Sequence, residues 1–257
     1  LLDGRDFEAR NKVRDLLASG RFAPAIGLEM GAYREQVLAW LKVLADEGIG
    51  ELAYPAFTGA APDLGAFIAS FEALADFDLS LVVKAGVQFG LFGGSVYFLG
   101  SASQHPVLWR VARLELPGCF AMTESGHGSN VRALGTTATF DGDTDQWVVH
   151  TPDRASWKDY IGNAACHAQL ATVFARLVIG DEDHGVHALL VPIRDDNGEP
   201  LPGVQIEDCG HKMGLLGVDN GRLAFDRVRV PASSLLGRYA TVTPDGGYHS
   251  PIPNPTR

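Results

Sequence analysis

Cys119-Phe120-Ala121-Met122-Thr123-Glu124-Ser125-Gly126-His127-Gly128-Ser129-Asn130 is where the character of this 257-residue chain changes. A short strand-forming run, Cys119 to Thr123, leads into a loop dense in glycine, hydroxyls and amides. Gly126 and Gly128 let the backbone approach a ligand closely. Exposed N–H groups beside Ser129 and Asn130 can hold anionic or carbonyl oxygens. The segment reads as a binding loop of unspecified ligand or as an ordinary strand-to-turn connection, and residue types alone do not separate the two.

Downstream, short β-rich runs alternate with turn residues. Thr136 to Phe140 and Gln146 to His150 flank an Asp-Gly-Asp-Thr-Asp hairpin turn. Gln169 to Ile179 is followed by Gly-Asp-Glu-Asp-His-Gly and then Val186 to Pro192. A second turn falls at 195 to 199, and Asp219-Asn220-Gly221 precedes one alternating strand, Arg222 to Val230. These runs predict an antiparallel β domain, a barrel or sandwich, over 117–236. Upstream, residues 1–116 read as an α-helical domain. Gln36 to Ala45 places Val37, Trp40, Leu41 and Leu44 on one helical face. Asp63 caps a helix carrying Phe67, Ile68, Phe71 and Leu74. Leu79 to Leu99 is a buried helix despite Gly90, Gly93 and Gly94, and His105 to Glu115 is another. The fold class is therefore α+β. Residues 237–257, rich in Pro, Gly and Ser, read as a linker.

A hydrophobic fraction of 46% supports a sizeable core, and 20% charged residues is too few for a disordered chain. The net charge of -10 repels phosphate backbones and argues against a nucleic-acid partner. Cys119, Cys166 and Cys209 are far apart and odd in number, which suits a reducing cytoplasm better than a disulfide framework. No apolar run is expected to span a bilayer. The chain starts at Leu1 without Met, as a fragment or processed chain would.

Several familiar motifs fail. Gly126 to Val131 begins like a dinucleotide fingerprint but lies in a β-rich region and does not open a βαβ unit. Asp141, Asp143 and Asp145 imitate a calcium loop, yet Gln146 and Pro152 stand where Gly and Glu are needed. His184 and His187 belong on opposite faces of a strand, which argues against a metal pair. Ser125 and Ser129 make no nucleophile elbow.

Cys-Phe-Ala-Met-Thr-Glu-x-Gly-His-Gly-Ser-Asn is, however, similar to the peroxisomal-type acyl-CoA oxidases; related dehydrogenases carry Thr-Glu-x-Gly-x-Gly-Ser-Asp. Further similarity follows in order: His150-Thr151-Pro152, the segment Trp157 to Asn163, Gly185-Val186-His187-Ala188, Leu201-Pro202-Gly203-Val204, Lys212-Met213-Gly214 and Phe225 to Pro231. The chain resembles the N-terminal and middle domains of this family. It departs where eukaryotic oxidases carry Lys-Trp-Trp-Pro-Gly-Gly and this chain has Trp157 to Gly162, which looks more like bacterial relatives.

The resemblance implies an enzyme catalysing FAD-dependent α,β-dehydrogenation of acyl-CoA thioesters. It assigns flavin contacts to Met122, Thr123, Tyr160, Ile161 and Gly162, with Tyr160 and Ile161 lining one wall. Ser129 and Asn130 would face the acyl-CoA. The family's catalytic base is a Glu on a C-terminal helical domain, expected beyond Arg257, so no catalytic residue is assigned in this chain and Glu124 is read as structural. A homodimer or larger homo-oligomer and a bacterial cytoplasm complete the expectation. The rivals are a dehydrogenase passing electrons to a carrier flavoprotein and a non-catalytic acyl-CoA-binding protein of the same fold.

Overall fold

Helical periodicity sets the first half of the molecule; a computed structural model describes residues 4–54 and 63–252 of the whole chain. Helix α1 is Phe7–Ala18, α2 Met30–Asp46 and α3 Leu64–Ala75. Val37, Trp40, Leu41 and Leu44 share one face of α2 and are all buried. Trp40, Phe22 and Phe77 pack ring on ring beside them. Asp63 caps α3 by accepting the Ala66 N–H at 2.9 Å. Leu74 of α3 is buried, whereas Ile68 is exposed.

Helix α4 runs from Leu79 to Leu99. Asp78 caps it through the Leu81 N–H at 2.8 Å, and residues Gly86–Phe92 wind as a π-helix. Gly93 is required there, because a Cβ would lie 1.7 Å from the Tyr54 hydroxyl oxygen. Against expectation, α4 is long and apolar enough to cross a membrane, but two-thirds of its most apolar stretch is buried inside the protein, as in a core helix. The helix expected over His105 to Glu115 shrinks to α5, Val107–Ala112, ending in a turn with Leu114 at φ 55°.

Nine strands follow: β1 Gly118–Ala121, β2 Thr137–Asp141, β3 Gln146–His150, β4 Lys158–Ile161, β5 Leu170–Ile179, β6 Glu182–Pro192, β7 Val204–Asp208, β8 Gly221–Phe225 and β9 Val228–Pro231. One curled sheet has the order β1-β5-β2-β3-β9, with β6 along the other edge of β5; a second is β4-β8-β7. The core between them holds Ala121, Trp147, Val173, Leu177, Leu223 and Phe225.

Three expectations change here. The sheet is not wholly antiparallel: β1 and then β2 pair with successive halves of β5 in parallel. The alternating run Arg222 to Val230 is two strands in different sheets, split at Arg227 with φ 51°. The β5–β6 turn is only Gly180-Asp181, since Ile179 already pairs with Glu182. Beyond β9, Thr241–Val242 and Tyr248–His249 form a small hairpin in the 237–252 stretch.

Helix α4 joins the two halves through polar side chains at near-helical spacing. Gln88 donates to the Val111 and Leu116 carbonyls and accepts the Gly118 N–H at 2.9 Å, which fixes where β1 begins. The Ser95 and Thr172 hydroxyls lie 2.7 Å apart. Lys84, one turn before Gln88, reaches the segment after β4.

Candidate functional site

The end of β1 and the whole of β4 meet side by side. The Asp159 N–H donates to the Thr123 carbonyl at 3.0 Å, and the Thr123 hydroxyl donates back to the Asp159 carbonyl at 2.9 Å. Thr123 is half-buried, so its hydroxyl stands at a rim. Tyr160, beside it on β4, is 62% exposed and holds φ at 56°. That left-handed residue throws the following side chain inward, and Ile161 lies in the core between the sheets. Tyr160 and Ile161 therefore do not line one wall: only Tyr160 faces out.

Gly162 is buried. A Cβ there would come 2.8 Å from Cγ2 of Val87 on α4. The glycine thus serves to seat the turn against α4. The residues fit a planar cofactor in one respect and correct the expectation in another. Thr123 offers a hydroxyl bonded to the strand that carries the exposed Tyr160 ring, while Gly162 brings the backbone down onto its support.

Met122 lies on the other side of the strand end. It lines a cavity of about 790 Å3 with Leu99, Val131, Phe174, Tyr239 and Tyr248. Ser129 and Asn130 are exposed in the intervening loop, immediately before Val131. That loop is pinned at its base. The Ser125 and Gly126 N–H groups donate to the Trp157 and Ala155 carbonyls at 2.8 and 2.7 Å. His184 and His187 both reach Tyr248, one stacked at 4.2 Å and the other with Nε2 3.0 Å from the hydroxyl. Gly185, at φ 81°, breaks the strand alternation that would have separated them. Burial holds the His187 imidazole below its ordinary pKa.

Glu124 is buried and fully engaged. It accepts from Lys158 Nζ at 2.9 Å and from the Gly135 and Thr136 N–H groups at 2.7 and 3.1 Å. Burial alone would raise its pKa, but the charge and hydrogen bond of Lys158, with those N–H groups, hold it low. Lys158 also donates to the Phe174 and Met122 carbonyls. Burial brings its pKa down to about 8 against the pull of Glu124.

A second buried cluster lies behind Gly162. Lys84 Nζ meets Asp219, the Asn163 side-chain oxygen Oδ1 at 3.0 Å and His167 Nδ1 at 2.9 Å. Burial would raise the Asp219 pKa, but the His167 hydrogen bond and the Lys84 charge hold it far below the carboxylate range. Sequence reading missed Lys84, Lys158, Asn163, His167 and Asp219 as site residues. The available signals were a lone cation inside an apolar helix and an Asp that doubled as a turn residue.

Residues 119–228 match the middle domain of acyl-CoA dehydrogenases. The chain is 49% identical over 205 residues to acyl-coenzyme A oxidase 2, peroxisomal, of Arabidopsis thaliana, covering 77% of this chain and 30% of that protein. It superposes on the crystal structure of acyl-CoA oxidase 3 from Yarrowia lipolytica with a TM-score of 0.84 and 30% identity, over 96% of this chain and 35% of the other. The Caenorhabditis elegans acyl-CoA oxidase-1 complexed with FAD and ATP gives a TM-score of 0.79 at 29% identity, over 96% and 37% of the two chains. The chain thus spans about a third of these proteins' lengths. The expected bacterial cytoplasm does not stand, because similar oxidases from Arabidopsis thaliana and Homo sapiens are named as peroxisomal.

Proposed function

Because the chain belongs to the acyl-CoA oxidase and dehydrogenase family, we propose that it forms the flavin-facing part of an enzyme that desaturates acyl-CoA thioesters and passes the electrons to oxygen. The observation that carries the reading is the reciprocal bonding of Thr123 and Asp159, which ties the Thr123 hydroxyl to the strand carrying the exposed Tyr160. In this reading Met122, Thr123, Tyr160 and Gly162 hold FAD, and Ile161 supports them from the core. When bound, FAD supplies the acceptor for the hydride that leaves the β carbon. The Thr123 hydroxyl, which donates to the Asp159 carbonyl, would be the side-chain hydrogen-bonding group offered to the flavin. Ser129 and Asn130 orient the acyl-CoA, and loop amides stabilise charge developing on the thioester oxygen. The mostly apolar cavity beside Met122 suits the acyl chain.

The base must reach the α proton. Glu124 cannot serve, since its carboxylate is buried and held by three donors. We assign the base to a C-terminal helical domain outside this chain, which follows a helical domain (1–116), a β domain (117–236) and a connecting stretch (237–257). The intact enzyme is taken to be a homodimer or larger homo-oligomer.

The test is a spectrum followed by a stopped-flow trace on the full-length protein. FAD uptake, anaerobic bleaching by an acyl-CoA and rapid reoxidation by oxygen with peroxide release are expected. Failure to take up FAD sinks the reading. Bleaching followed by slow reoxidation moves the enzyme to the dehydrogenases.

A further inference from the structure

Lys84 is a charged side chain only 1% exposed, carried by an otherwise apolar stretch of α4. Its ammonium donates to Asp219 and to the Asn163 side-chain oxygen Oδ1, and lies 2.9 Å from His167 Nδ1, which is itself 3.3 Å from Asp219. The other ring nitrogen, Nε2, meets Glu35 at 3.0 Å, so His167 is held from both sides. Asp219 is satisfied in turn, accepting the Cys166 and His167 N–H groups at 3.0 and 3.1 Å. Thus Lys84 and Asp219 together hold the backbone from 163 to 167.

The segment they hold is strained. Tyr160 and Asn163 are non-glycine residues at φ 56° and 68°, one on each side of the Ile161-Gly162 pair. Such conformations persist only when their surroundings over-determine them. Asn163 is fixed at both ends of its amide, by Lys84 and by the Gly118 carbonyl at 2.9 Å. A chain of contacts therefore runs from α4 through Lys84 and Asn163 to the start of β1, the strand that leads to Thr123. An apolar pair of similar volume would stabilise the interface as well as a buried ion pair does. It could not hold Asn163 in this turn.

We propose that Lys84 is a positioning residue for the flavin site, setting the height of the Tyr160–Asn163 turn relative to Thr123. The proposal rests on the flavin reading above. The test compares the full-length protein with its Lys84→Met variant by FAD dissociation constant, absorption spectrum of bound flavin and Tm of the FAD-free protein. Lys84→Met is expected to weaken FAD about tenfold and to shift the flavin bands. Leu41→Ala, in the α2 core away from the site, is expected to lower Tm while leaving both flavin readouts unchanged. An unchanged dissociation constant and spectrum in Lys84→Met overturn the proposal while the flavin reading stands. A wild-type protein that takes up no FAD overturns both. Should Lys84→Met fail to fold, Asn163→Ala, which keeps the Lys84–Asp219 pair, carries the same expectation and is overturned by the same result.

Discussion

Lys158 and Lys84 both have side chains shut away from water, yet they hold different kinds of partner. Lys158 grips one carboxylate and two backbone carbonyls, those of Phe174 on β5 and Met122 at the end of β1. Lys84 meets three side chains and no backbone carbonyl. A cation tied to backbone fixes how strands cross. A cation tied to side chains fixes how one finished unit sits on another. The two lysines bracket β4: Lys158 starts it, and Lys84 reaches the turn just after it. The first anchors the fold, and the second adjusts the candidate site built upon it.

The largest expected effect breaks the first anchor. Lys158→Met leaves Glu124 buried with no cation, and breaking such a pair costs about 3–5 kcal/mol. Urea denaturation of the chain is the measurement. Replacing both partners, Lys158→Met with Glu124→Gln, should recover most of that loss. A single-variant cost below about 1 kcal/mol would place the pair among weakly coupled surface pairs and end the contrast with Lys84.

The next effect tests the seat of the turn. Gly162→Ala drives a methyl into Val87 and should cost about 1–3 kcal/mol, largely relieved by adding Val87→Ala. Gly128→Ala, with nothing within 4 Å of the new methyl, should stay within about 0.5 kcal/mol. Equal costs at the two glycines would mean that α4 yields to the turn.

That pairing also marks what the sequence made legible. The α2 stripe of Val37, Trp40, Leu41 and Leu44 was readable because a local period of 3.6 encodes it. The run from Cys119 to Asn130 was readable as strand and loop, but its ligand came only through family resemblance. Arg222 to Val230 misled because its alternation continues across the left-handed Arg227, where the chain changes sheets. The parallel pairing of β1 with β5 closes across some fifty residues, with no local signal. Lys84 stood out as a lone cation in an apolar helix, but its partners, 79, 83 and 135 residues away, carried no local signal.

Titration separates the two anchors further. Glu124 and Asp219 are both held below their ordinary values of 4.5 and 3.8. A carboxylate depressed in the folded state stabilises above its unfolded pKa and loses that contribution as pH falls. The urea midpoint should therefore drop from about pH 4.5 downward. Lys158 acts with the same sign on the alkaline side. Its pKa of about 8, against 10.5 unfolded, means the folded chain binds fewer protons between those values. Its contribution to stability rises with pH there, by at most about 1.4 kcal/mol per pH unit. The double variant lacking Glu124 and Lys158 should lose that slope and the upper part of the acid limb. It should keep the Asp219 limb below pH 3.8.

The smallest effect lies on the same strand as a large one. Two residues beyond Phe174, whose carbonyl Lys158 grips, Arg176 pairs with Asp183 at 2.6 Å. Both of these side chains are about two-fifths exposed. Water already solvates each charge, so bringing them together exchanges one good environment for another and restricts two flexible side chains. Arg176→Gln should therefore cost less than about 1 kcal/mol. The deficit should shrink further in 1 M salt, where the screening length falls to about 3 Å. Lys158→Met should keep its penalty in the same salt, because ions cannot reach a pair enclosed by two sheets. If both penalties fell together on adding salt, the Lys158 site would be open to solvent, and its role as a buried anchor would fail with it.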